Sequence, residues 1–482
     1  MNILFLAAEC APFVKVGGLG DVVGTLPSVL YRMGHQVRVM LPHHGIIDDT
    51  RHELSLFDTF DAAWNDSITR VEVAVTEREG VRFYFLRGWP FFAAEDRFIY
   101  SPDEGIDVGR YLFFAATALE LARRIATGEG WRPDVFHAHD WHMGTVPFLL
   151  SRVFNNDPVL GGAATLFSIH NMQYQGWGVG WHLQRAHLPI VDHPLLHAMG
   201  KVDNTLAIGL AYSTMLSTVS PRYAQEITTP EGGHGLDGLL HARQSRLVGI
   251  LNGIDVRRWN PAASPHLSTP YDIESLSRRV ENKTALQREL GLPVRADVPV
   301  IATVMRLVEQ KGPAVMFPAV RYMLEHSDVQ FILLGSGQPY YENEAHRLAY
   351  DFPTKAAVHV GFDEILSEHI YAGSDIFLMP SQFEPCGIGQ MLAMRYGSLP
   401  VARQVGGLAD TVSPDIGFLF TDYHPGALGW ALGRALEVYT TDPAGWRERQ
   451  RRAMQCDFSW EGSAKKYLDL YQQTIAVRHS YT

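Results

Sequence analysis

Short, nearly continuous apolar runs recur along the chain with longer amphipathic segments between them. No other feature restricts the fold as tightly. In the first half the runs cover residues 2–8, 36–41, 81–86, 134–139, 164–170, 215–219 and 246–252. In the second half they cover 298–305, 329–334, 357–360, 375–380, 399–403 and 417–420. Apolar runs of this length suit parallel strands buried on both faces. Helical patterns such as 21–33 and 109–125 lie between them. The βαβ rhythm predicts an α/β fold, and 482 residues exceed one hydrophobic core, so two doubly wound domains are expected. The best boundary is near 252–270, where Asn-Gly, Trp-Asn-Pro and a Ser/Pro-rich stretch follow a strand. Residues 458–473 place Trp460, Tyr467, Leu468 and Tyr471 at the spacing of an amphipathic helix.

Composition narrows the functional classes. A net charge of −11 argues against nucleic acid and anionic membrane as partners, because both select basic surfaces. The cysteines are Cys10, Cys386 and Cys456, with no CxxC pair, which fits a reducing, cytoplasmic setting. The opening MNILFLAAECAPF lacks a basic n-region and reads as a first buried strand rather than a signal peptide. No apolar stretch approaches the roughly 20 residues of a membrane span.

Several strand ends carry polar groups. Lys15-Val16-Gly17-Gly18-Leu19-Gly20-Asp21 combines glycines, which let a backbone approach a ligand, with the start of a helix, whose N–H groups attract anions. It is a poor dinucleotide fingerprint. Val23 stands where the last glycine should be, and the second strand ends in Leu41-Pro42-His43 without an acid. Arg306 and Lys311 follow the 298–305 strand, at the carboxyl edge where open α/β sheets bind ligands. Two cations there can neutralise a diphosphate without a metal. Glu384-Pro385-Cys386-Gly387-Ile388-Gly389 follows the 375–380 strand, so a carboxylate and glycine N–H groups share one edge.

His137-Ala138-His139-Asp140-Trp141-His142 matches no zinc spacing, so no metal is expected. His137 reads as a core histidine and Asp140 with Trp141 as a sugar-binding edge. Phe167-Ser168-Ile169-His170-Asn171 ends a third strand in the same way. Asn252 and Asp255 lie at the expected boundary, and Phe362 follows the 357–360 strand, where a ring can stack on a base or anchor the strand end in the core.

Taken in order, these segments resemble the bacterial glycogen synthase and plant starch synthase family. Lys15–Asp21, His137–His142, Ile169-His170-Asn171 with Tyr174-Gln175-Gly176, and Asn252-Gly253-Ile254-Asp255 carry the resemblance in the first half. Arg306-Leu307 with Gln310-Lys311-Gly312, Glu384-Pro385-Cys386-Gly387 and Gly406-Gly407-Leu408-Ala409-Asp410-Thr411-Val412 carry it in the second. The resemblance implies a retaining GT-B glycosyltransferase, with two Rossmann-like domains facing a cleft. It implies an acceptor domain over 1–252, a nucleotide-sugar domain over 253–455 and a C-terminal helix, 456–482, returning to the first domain. The implied donor is ADP-glucose and the implied acceptor glycogen or another α-1,4-glucan, with no cofactor. The implied catalytic set is Glu384, Lys311, Arg306, His170 and Asp140. The implied substrate-binding set is Lys15, Gly18, Asp21, Asn252, Phe362, Cys386, Gly387, Gly407 and Thr411. Within these sets Arg306 and Lys311 would hold the diphosphate, Glu384 the donor glucose and Phe362 the adenine. Two positions depart from the pattern. Gly389-Gln390 replaces a usual Thr-Gln, and Leu392 stands where the wider superfamily has a second Glu. A sucrose- or trehalose-forming transferase and a catalytically silent glucan-binding protein are the competing readings.

Overall fold

The computed structural model describes residues 1–95 and 97–480. The chain forms two compact units, one of Met1–Ile250 with Trp460–Thr482 and one of Leu251–Ser459.

In the first unit the strands are β1 (Asn2–Leu6), β2 (Gln36–Pro42), β3 (Ser55–Trp64), β4 (Ser67–Arg78), β5 (Val81–Arg87), β6 (Val135–His139), β7 (Ala164–Ile169), β8 (Met215–Thr218) and β9 (Leu247–Gly249). They form one sheet in the order β3-β4-β5-β2-β1-β6-β7-β8-β9. All neighbours from β5 to β9 are parallel. The chain builds outward from β1 through β2 and then crosses to β6 on its other side. That reversal opens a crevice outside the carboxyl ends of β1 and β6.

The antiparallel edge formed by β3 and β4 was not anticipated. It lacks a continuous apolar run. Val71 and Val73 are buried on alternate positions while Arg70 and Ser67 are exposed, the pattern of a sheet with one wet face. Asn65 and Asp66 join the strands with φ of 50° and 61°, the mirror-image turn that matches strand twist.

The last helix, Trp460–His479, belongs to the first unit although it follows the second in sequence. Trp460, Tyr467, Leu470 and Tyr471 are buried in the core with Ile3, Phe5 and Leu166. Each side chain of this size contributes about 1.5–3 kcal/mol on burial. The Tyr471 hydroxyl and Nδ1 of His137 lie 2.8 Å apart, and Nε2 of His137 is 2.6 Å from Ser168 Oγ. His137 is therefore a hydrogen-bonded core histidine.

In the second unit β10 (Val300–Val304), β11 (Gln330–Gly335), β12 (Ala356–Val360), β13 (Ile376–Met379), β14 (Leu399–Arg403) and β15 (Phe418–Phe420) pair in parallel. Their order is β12-β11-β10-β13-β14-β15. The reversal here lies between β10 and β13.

Candidate active site

Each unit gathers its polar residues at its own reversal point. In the first unit, the helix following β1 spans Gly18–Arg32, three residues earlier than the expected 21–33. Gly18 and Gly20 thus occupy its first turn, with Gly17 as N-cap and Asp21 placed favourably against the helix dipole. Lys15 Nζ and Asp21 Oδ1 are 2.6 Å apart, so these two predicted site residues pair with one another. The buried Glu9, which the sequence reading passed over, anchors this loop. One of its carboxylate oxygens accepts the N–H groups of Val16 and Gly17, and the other accepts the Tyr100 hydroxyl at 2.9 Å.

Asp140 follows β6 with φ 56° and ψ 179°, a region other residue types than glycine rarely enter. Its Oδ1 accepts the backbone N–H of His170 at 2.6 Å, which ties the end of β6 to the end of β7. Burial pushes its carboxyl up to about 7, opposed by the His170 and Asn171 backbone N–H groups and assisted by Glu9. His170 Nε2 lies 3.0 Å from His139 Nδ1. Burial pulls His170 down to about 3, so it is a neutral hydrogen-bonding group at physiological pH. His139 and His142 are likewise held neutral by burial. Among the described residues no group of three His, Cys, Asp or Glu side chains is placed to hold a metal ion.

In the second unit, Lys311 and Glu384 come from the loops after β10 and β13. Lys311 Nζ donates to both carboxylate oxygens of Glu384, at 2.8 and 2.7 Å. Ser381 Oγ donates to the same carboxylate at 2.8 Å. Glu384 is 4% exposed, so Lys311 and Ser381 compensate a buried charge. Gly312 allows the approach. Its φ is +79°, and a Cβ there would lie 2.1 Å from the Pro380 carbonyl oxygen. Gly407 does the same from the β14 side, where a Cβ would sit 2.0 Å from the Cys386 carbonyl oxygen. The Gly407 N–H donates to the Glu384 carbonyl, and the Thr411 hydroxyl donates to the Gly407 carbonyl. Gln390 Nε2 bonds Cys386, Gly387 and Thr411 and holds the turn together.

Arg306 is exposed and forms no ion pair among the described residues. Burial pushes the Cys386 thiol up to about 12 against a hydrogen bond from the Asn252 backbone, so it remains a thiol and a poor nucleophile. The Oδ1 of Asn252 is buried without a hydrogen-bond partner. Phe362 is 89% exposed beyond β12, two strands from β10. The alternative in which it anchors the core is thereby excluded. The departures also have local reasons. A side chain at Gly389 would begin 3.2 Å from the Phe377 ring, and Leu392 is buried, where an unpaired carboxylate would be costly.

Residues 2–242 match the starch synthase catalytic domain and residues 291–452 match glycosyl transferases group 1. A glycogen synthase from Anaeromyxobacter sp. (strain Fw109-5) is 43% identical over 99% of this chain and all of that protein. A glycogen synthase from Syntrophotalea carbinolica is 40% identical over the full length of both. The catalytic domain of starch synthase IV from Arabidopsis thaliana, solved with ADP and acarbose, superposes with a TM-score of 0.89 at 34% identity, covering 98% of this chain and 99% of that one. Sucrose-phosphate synthase from Thermosynechococcus elongatus shares the GT-B fold at TM-score 0.62 and 18% identity. With full-length relatives at this identity and a matching starch synthase catalytic domain, the chain belongs to the glycogen synthase and starch synthase family of GT-B glycosyltransferases.

Proposed function

We propose that the protein transfers glucose from ADP-glucose to the non-reducing end of an α-1,4-glucan such as glycogen, with retention of configuration, in the cytoplasm. The observation that carries this reading is the Lys311–Glu384–Ser381 cluster at the reversal point of the second sheet, beside an exposed Arg306. As the donor bond breaks, negative charge grows on the departing diphosphate. Arg306 and Lys311 stabilise it, a preorganised electrostatic contribution. Glu384, already fixed by Ser381, accepts hydroxyls of the donor glucose as Lys311 turns to the phosphates.

Lys15 and Gly18 serve the phosphates and Asp21, Asp140 and His170 the sugar. Apart from its chain neighbours and its own helix backbone, no described atom lies within 4 Å of a Cβ built on Gly18, so its missing side chain leaves room for a ligand. His170 acts as a neutral hydrogen-bond partner, since its low pKa keeps it unprotonated. The glucosyl centre passes through an oxocarbenium-like state, and the acceptor hydroxyl attacks on the face the diphosphate leaves, its proton passing to an oxygen of the departing phosphate. Asn252, Cys386, Gly387, Gly407 and Thr411 shape the donor site, and Phe362 stacks on the base.

The test is end-group analysis of glycogen extended with labelled ADP-glucose. Release of the label as maltose by β-amylase supports α-1,4 addition at non-reducing ends. Label that resists β-amylase, or that appears only as free glucose, refutes it.

A further inference from the structure

The second unit holds a cavity of about 500 Å³ at the edge opposite Arg306, Lys311 and Glu384. Its walls include Ala296, before β10, and Asp375, immediately before β13. All strands of this sheet run parallel, so the cavity lies at their amino ends.

The charges in it do not cancel. Lys283 Nζ is 2.7 Å from Asp375 Oδ2 and also donates to the Tyr439 hydroxyl at 3.0 Å, so that pair is internally neutral. Asp297 at the rim is paired with Arg295 at 2.7 Å. Arg279 is different. It is 6% exposed, and it donates to the backbone carbonyls of Tyr396, Tyr371 and Ser374, without a carboxylate in ion-pair contact among the described residues. Carbonyl oxygens orient a guanidinium but leave its net charge in place, and a buried uncompensated charge favours an anionic partner. Arg447 lines the same cavity, is exposed, and forms no ion pair among the described residues. Trp446 also lines it, but its ring is 4% exposed and packed on Phe418 and Tyr439, and its indole N–H is a buried donor with no acceptor among the described residues.

We infer that this cavity is a second anion site, for a small phosphorylated metabolite whose phosphate lies between Arg279 and Arg447 and whose body fills the rest of the cavity. A phosphate fits the two guanidinium groups by bidentate hydrogen bonding. The site also has a mechanical link to the chemistry. Asp375 Oδ2 accepts the Val300 backbone N–H at 2.9 Å, so the Lys283–Asp375 pair fixes the starts of β10 and β13. The same two strands end at Lys311 and Glu384.

The experiment is calorimetric titration of the full chain with ribose 5-phosphate and, separately, inorganic phosphate, in saturating ADP to block the donor site. Saturable binding is expected, weakened about tenfold or more in Arg447→Glu and largely retained in Arg447→Lys, as loss of a charge-assisted hydrogen bond predicts. Tighter binding of the sugar phosphate than of phosphate alone supports a metabolite that fills the cavity; equal affinities overturn that part of the proposal. Arg447 is exposed, so its variants should keep the wild-type melting temperature. Absence of binding both with and without ADP overturns the site, as does binding that Arg447→Glu and Arg279→Lys both leave unchanged. The donor assay is independent of this titration, so either result leaves the transferase reading to its own test.

Discussion

At the residue scale, the Lys311–Glu384 pair separates charge from shape. Glu384→Gln keeps the volume and the hydrogen bond from Ser381 but removes the charge that Lys311 answers. It should cut kcat by roughly 10²–10³ with a near-native circular dichroism spectrum, the size of effect expected for a preorganised polar contact. An enzyme of wild-type kcat would remove Glu384 from the site. Phe362 gives a cleaner split. Because the ring is 89% exposed, Phe362→Ala should leave the melting temperature unchanged. The donor KM should rise by about tenfold with kcat little altered, as for loss of a stacking contact made equally in ground and transition states. An unchanged donor KM would exclude the stacking role. Much of the candidate site was readable in the sequence because strand-end polar residues announce themselves: Asp140, His170, Lys311 and Glu384 all follow apolar runs. Glu9, Tyr100 and Ser381 were not read. Glu9 sits in a run of small and apolar residues, and its partners lie 7, 8 and 91 positions away. The pairing of Lys15 with Asp21 was also invisible, since each had been assigned to a ligand.

At the scale of elements, the site depends on loops that cross closely. Gly312 carries the argument because it fails two ways on substitution. An alanine must adopt φ +79°, at a cost of about 1–2 kcal/mol, and its Cβ must displace the Pro380 carbonyl. Gly312→Ala should therefore lower both the melting temperature and kcat, by moving Lys311 away from Glu384. Gly433 is the control, within the helix Pro425–Thr441 and with no atom within 4 Å of an added Cβ. Gly433→Ala should stabilise by about 0.5–1 kcal/mol through helix propensity and leave activity intact. Thermal melts with steady-state kinetics on both variants decide the matter. If Gly312→Ala behaves like Gly433→Ala, the close crossing is not what positions Lys311. The parallel strands were legible because burial on both faces leaves an unbroken apolar signature. The β3–β4 hairpin was not, because its alternation is diluted by polar residues on the wet face. Its signal was Val71, Val73 and Val75 at period two behind an Asn-Asp turn.

Across the whole molecule, the first unit buries several histidines in neutral form. His44 is fully buried, with its Nε2 2.8 Å from the Ala8 carbonyl, and burial lowers it from 6.5 to about 3. Burial also depresses His137, His139 and His142. Between these values the unfolded chain binds protons that the folded chain refuses. Stability should thus fall as the medium is acidified below about pH 6.5, by up to about 1.4 kcal/mol per pH unit for each such histidine, offset in part by Asp140, whose raised carboxyl works in the opposite direction. Melting temperatures measured from pH 7.5 down to about 4.5 should show this decline, and His44→Gln should make it shallower by one histidine's share. A wild-type profile flat over that range would contradict the neutral-histidine core.

The division into two units followed from the length and rhythm of the apolar runs. The transferase reading followed from the order of the motifs, and the placement of each set at a sheet's reversal point gives that order a physical basis. The most direct test of the account is the kcat/KM of the purified protein for ADP-glucose and for UDP-glucose, each with glycogen as acceptor. The account predicts glucosyl transfer to glycogen from ADP-glucose, about tenfold or more efficient than from UDP-glucose, as differential binding of the base requires. No incorporation from ADP-glucose, or transfer to a free monosaccharide in place of glycogen, would contradict it.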